Sequence, residues 1–120
     1  MSEGHNMKSI TSLVFSTLFL ISSNANAGLI GVNYIEITNE LNTWLQVAEV
    51  VATDMTNSDV ALASEGAVAT APDSWSAISG PEKAIDGITL GNYSLGQIFH
   101  EGSNNTHDTL TITFSSLQEL

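Results

Sequence analysis

Thr109-Leu110-Thr111-Ile112-Thr113-Phe114 alternates without a break, with three threonines on one face and Leu110, Ile112 and Phe114 on the other. A period of two in β-branched and aromatic residues predicts a strand with one face on a core and the other toward water. After residue 27 no run of ten residues carries the i, i+3, i+4, i+7 recurrence of an amphipathic helix. The one helical turn expected lies near Pro81 to Ile85. These two readings together predict an all-β sandwich.

The remaining strands are shorter. Val32-Asn33-Tyr34-Ile35-Glu36-Ile37 is rich in β-branched and aromatic side chains and ends at Thr38-Asn39-Glu40, where short polar groups compete for the backbone and favour a turn. Trp44 to Ala52 puts Leu45 and Val47 on one face, and Glu49 falls on that same apolar face if the period holds. An inward carboxylate costs several kcal/mol unless it is paired or bound to a metal, whereas a bulge or strand end would turn it to water. Asp54 to Asp59 is a polar loop, and Val60-Ala61-Leu62 and Ala67-Val68-Ala69-Thr70 are short β candidates. Residues 71–107 hold both prolines and many Gly, Ser and Asn, a loop region of the length that binding loops reach.

Charge narrows the partners. The 120 residues carry thirteen Asp and Glu against two Lys and no Arg, a formal net charge of −11. Phosphate contacts need Lys and Arg, so nucleic acid is not an expected partner. With 42% hydrophobic residues and 12% charged ones, the chain is too apolar for an acidic disordered tail and is expected to fold. Zero Cys excludes disulfides, thiolate nucleophiles and Cys-ligated metal, and leaves an oxygen-ligated ion as a possible staple. At the front, Met7-Lys8, the apolar run Ile10 to Ile21 and Ala25-Asn26-Ala27 read as a secretory signal peptide over residues 1–27. A secreted, periplasmic or extracellular domain over residues 28–120 is then expected, with no membrane span after cleavage. Beyond residue 27, twelve acids face one base, Lys83. Such a surface suits divalent cations or neutral, hydroxyl-rich ligands, although a solvated acidic surface is also an ordinary route to solubility.

No catalytic constellation emerges. The serines near His100 and His107 lack a Gly-x-Ser-x-Gly elbow, and the two histidines lack the spacing of a zinc site. Asp86 to Asn92 lacks the alternating oxygen ligands of an EF-hand. Asn92-Tyr93-Ser94 and Asn104-Asn105-Thr106 fit the N-glycosylation pattern, at a frequency that this Asn content produces by chance. A non-catalytic protein is expected.

Three pieces in order carry a resemblance: Trp44-Leu45-Gln46-Val47-Ala48-Glu49-Val50; Asn57-Ser58-Asp59-Val60-Ala61-Leu62-Ala63 with Ala67-Val68-Ala69-Thr70; and Lys83-Ala84-Ile85-Asp86-Gly87 with Phe99-His100. The set resembles the fucolectin branch of the discoidin-like (coagulation factor type C) domains. That resemblance implies a jelly-roll β-sandwich of the galactose-binding-domain type, binding fucose- or galactose-like glycans beside a structural calcium. It implies Glu49 and Asp86 as side-chain calcium ligands, carbonyls of Ala48, Lys83 and Ile88 completing much of the shell, and Gln97 where the family has a serine. It also implies His100 as the sugar-binding imidazole, suited to the task because one ring nitrogen donates while the other accepts. The departures are specific. The family's two sugar-binding arginines have no counterpart, Ile88 stands where an asparagine is usual, and the Glu49 strand precedes the Asp86 loop instead of closing the domain. That order fits either a permuted sandwich or one module ending over residues 32–52 and another beginning over residues 57–120; the expected signal peptide leaves only Gly28 to Gly31 before the first strand and favours a permuted sandwich, expected to be incomplete at its C-terminus. A structural or adhesion β-sandwich without a working sugar site, making contacts through its threonine-rich face, is the alternative expectation. A third is an appendage of a secreted glycoside hydrolase.

Overall fold

The computed structural model describes residues 9–10, 28–104 and 107–120. The expected signal peptide lies outside the described residues except for the backbone of Ser9–Ile10, and the Asn104-Asn105-Thr106 sequon lies partly outside them. The protein is a small all-β fold. Its strands are β1 (Ser9–Ile10), β2 (Ile30–Thr38), β3 (Gln46–Val47), β4 (Val68–Thr70), β5 (Phe99–His100) and β6 (Thr109–Glu119). Short 3-10 turns span Ala63–Glu65, Pro81–Ile85 and Tyr93–Leu95. One sheet has the order β1-β2-β6-β4 and the other pairs β3 with β5.

The long antiparallel β2–β6 pair follows from the two alternating runs. Ile35 faces Ile112 and Ile37 faces Leu110 across the ladder, and these four side chains are buried. The pairing shifts at the Ile30 end, where two residues of β2 match one step of β6. Gly31 sits between them at φ +71°, a backbone state that a Cβ disfavours, so the bulge needs glycine there. A larger irregularity follows, because two steps of β2 from Val32 to Tyr34 span five of β6 from Gln118 to Thr113. β1 runs parallel to β2, with Ser9 beside Tyr34 and Ile10 beside Ile35.

The core collects the inner faces of both sheets. Ile35, Leu110, Ile112 and Phe114 from the large sheet join Val47 and Phe99 from the small one, with Ala84 and Ile85 supplied by the 3-10 turn. Pro81 starts that turn with its φ already set and no N–H to leave unsatisfied. The β reading of Val60-Ala61-Leu62 is corrected. Asp59 Oδ1 accepts the Ala61 N–H at 3.0 Å and the Ala52 N–H at 3.0 Å, which takes the donors that a ladder would use. The expected strand from Trp44 to Ala52 contracts to Gln46–Val47, after which the chain turns aside.

Candidate functional site

Two segments far apart in sequence meet at the β3–β5 pair, where Gln46 lies opposite His100 and Val47 opposite Phe99. The ribbon extends by one residue, since Glu101 N–H donates to the Leu45 carbonyl at 3.0 Å and Leu45 N–H donates to Glu101 Oε1 at 2.7 Å. On the other side of β5, Trp75 N–H donates to the His100 carbonyl at 2.8 Å, and His100 N–H donates to the Ser79 carbonyl at 3.0 Å. Three chain segments thus converge on His100.

Their side chains form an aromatic cluster. The Trp44 and Trp75 rings meet edge to face with centroids 5.1 Å apart, and the His100 ring lies 5.4 Å from Trp44 and 5.6 Å from Trp75. Tyr93 closes the group, 5.5 Å from His100. The cluster is not core: Trp75 is 54% exposed and Trp44 38% exposed. Behind it the Tyr93 hydroxyl lies 3.3 Å from Ser76 Oγ, which lies 3.2 Å from the buried Ser79 Oγ. His100 Nδ1 is 2.8 Å from the Glu101 carbonyl. A carbonyl only accepts, so Nδ1 carries the proton, and in the neutral ring Nε2 is left as an acceptor. An exposed face of indole rings, one imidazole acceptor and nearby hydroxyls can stack on and hydrogen-bond a ring-shaped polar ligand.

Glu101 anchors this arrangement from below. It is 1% exposed, and Oε1 also takes a hydrogen bond from Asn39 Nδ2 at 3.3 Å, while Oε2 has no hydrogen-bond partner. Burial pushes its carboxyl above the ordinary carboxylate value, the Leu45 N–H pulls it back, and the Asp108 charge adds to the rise.

The expected calcium ligands lie in a second place. Val50 N–H donates to the Ala84 carbonyl at 2.8 Å, which sets the segment of Ala48 and Glu49 against the segment of Lys83, Asp86 and Ile88. Glu49 Oε1 accepts the Gly87 N–H at 3.1 Å, and Oε2 is buried without a partner. Burial pushes Glu49 up to about 7, the Gly87 N–H opposes this, and the Asp86 and Asp59 charges reinforce it. Asp86 is exposed and caps its own turn, its Oδ1 accepting the Ile88 N–H at 2.9 Å. Gln97 is held in its own loop, Oε1 accepting the Asn92 N–H at 3.2 Å, and Gly91 of that loop packs on Ala48. Among the described residues no three His, Cys, Asp or Glu side chains are placed to hold a metal ion. Glu49 Oε2 is an oxygen that a hard cation or a proton would satisfy, and a cation there would draw most of its shell from carbonyl and water oxygens.

Sequence reasoning singled out His100, Glu49 and Asp86 but not Trp44, Trp75 or Tyr93, whose rings gather around His100. The available signal was Trp75 itself, a large aromatic set in Asp73-Ser74-Trp75-Ser76 with no apolar period to bury it. Among the described residues no helix is long and apolar enough to cross a membrane. No protein-family model, curated protein or solved structure matches the chain, so the likeness to fucolectins rests on the quoted residues alone.

Proposed function

We propose that this chain is a secreted, non-catalytic carbohydrate-binding module of jelly-roll type, taking fucose- or galactose-like glycans on the aromatic cluster around His100. The observation that carries the reading is the pair of exposed indoles held edge to face beside a half-buried imidazole. A sugar ring presents polarised C–H groups on one side and hydroxyls at its rim. The negative face of an indole attracts the first, and His100 Nε2 accepts from the second. With Lys83 as the single base beyond residue 27, the ligand is uncharged or cationic and not anionic. Calcium between Glu49 and Asp86 would fix the loops near the site, and the partnerless Glu49 Oε2 supports that part of the reading.

A glycan array tests it. Retention of fucosides or galactosides, weakened at least tenfold by Trp75→Ala and by His100→Ala, is the expected result. Absence of binding to every neutral glycan overturns the reading and favours the adhesion β-sandwich, for which the exposed Val68 on the short strand β4 would then be the surface to examine.

A further inference from the structure

Resting on the glycan reading, we infer that the site around His100 prefers hexoses bearing a free 2-amino group over their N-acetylated and neutral counterparts. Indole faces attract cations as well as C–H groups, and an ammonium within about 6 Å of a ring centroid gains from the ring's quadrupole. One carboxylate is tied to both ring-bearing segments. Asp73 is two residues before Trp75, so their Cα atoms lie within about 7 Å of each other. Its Oδ1 accepts the Gly102 N–H at 2.8 Å, which ties it to the segment that carries His100. Ser103 Oγ lies 3.2 Å from Asp73 Oδ2 and 3.1 Å from Asp108 Oδ2. One hydroxyl has one proton to donate, so it cannot satisfy both carboxylates.

Glu101 adds a third, buried carboxyl group. It follows His100 in the chain, its Oε1 holds the backbone next to Trp44, and its buried Oε2 has no hydrogen-bond partner. Asp73 and Asp108 lie close enough to Glu101 for their charges to act on it, which gathers both carboxylates around the segment that carries His100. Aromatic faces beside the Asp73 and Asp108 carboxylates select a cationic ring over a neutral one. They select most strongly against an anionic one.

The test is calorimetric titration of the full chain with galactosamine, N-acetylgalactosamine, galactose and galacturonic acid, at about pH 6, where the amine is a cation. Galactosamine is expected to bind about fivefold to tenfold tighter than the two neutral sugars at low salt, with galacturonic acid weakest. That preference should shrink to under about twofold in roughly 0.5 M salt. Asp73→Asn should reduce it while galactose affinity holds, and Asp108→Asn serves if the first variant does not fold. Equal binding of galactosamine and galactose at low salt overturns the amine preference and leaves the glycan reading standing. No binding of any sugar removes both.

Discussion

Glu101 shows how much of this site depends on single atoms. One carboxylate oxygen holds Leu45 and Asn39 in place, the other is buried without a partner, and the backbone carbonyl of the same residue fixes the His100 tautomer. Because burial raises its titration above the ordinary value of 4.5, the folded protein binds more protons than the unfolded chain between that value and the raised one. The stability tied to this group is therefore full below about pH 4.5 and is lost as pH rises through the raised folded value. Glu101→Gln keeps the Oε1 acceptor and removes the buried charge. It is expected to flatten that slope in urea melts recorded at several pH values, and to gain on the order of 1 kcal/mol at neutral pH. Trp75→Ala should do the reverse of a core truncation. With the ring 54% exposed, stability is expected to fall by less than about 1 kcal/mol while sugar affinity falls at least tenfold. His100 was legible in the sequence only through the family likeness, and Trp75 was legible only as an oddity. What joins them is the Trp75 N–H to His100 carbonyl bond, and its partners are backbone atoms, for which the sequence carries no code.

At the scale of elements, what could be read was what alternates. Thr109 to Phe114 forms the inner half of β6 because its apolar face has a core to meet, and the 3-10 turn at Pro81–Ile85 forms where proline and buried Ala84 and Ile85 demand it. The continuation of β6 through Ser115-Ser116-Leu117-Gln118-Glu119 has no such alternation, and its irregular pairing with Val32 shows why no period announced it. The run from Trp44 to Ala52 misled for a different reason. Its alternation is real, with Leu45 and Val47 buried, but the Val50 N–H donates to the Ala84 carbonyl at 2.8 Å, so the backbone beyond Val47 bonds to the 3-10 turn and not to a neighbouring strand. Two substitutions separate these cases. Ile112→Ala removes methyl groups from a position that is 0% exposed, opposite Ile35, and is expected to cost about 2–5 kcal/mol in denaturant melts. Gly31→Ala adds only a methyl, yet its φ of +71° disfavours any Cβ, so a loss of about 1 kcal/mol is expected, with the bulge rather than the core as its source.

For the whole molecule, the net charge of −11 makes any cation stabilising to some degree, and this complicates the reading of a calcium effect. Screening by added salt relieves repulsion among carboxylates all over the surface and needs no site. A bound ion differs in being specific. At tenfold its Kd, calcium that binds only the folded state should add about 1.4 kcal/mol, which for a domain of about a hundred residues is a rise of roughly 6 °C or more in Tm. Scans should therefore be run in chelator, in calcium, and in magnesium and sodium salts at matched ionic strength. Glu49→Gln is the decisive companion. It removes the charge beside Asp86 but keeps an oxygen for the Gly87 N–H, so the turn can persist while the ion site is lost. If calcium raises the midpoint beyond magnesium in the native chain and not in the variant, the ion belongs between positions 49 and 86. If every salt gives the same rise in both proteins, the gain is screening. The partnerless oxygen of Glu49 would then be satisfied by a proton, as its shift to about 7 allows, and the loops around the aromatic cluster would be ordered by packing and backbone hydrogen bonds without a metal.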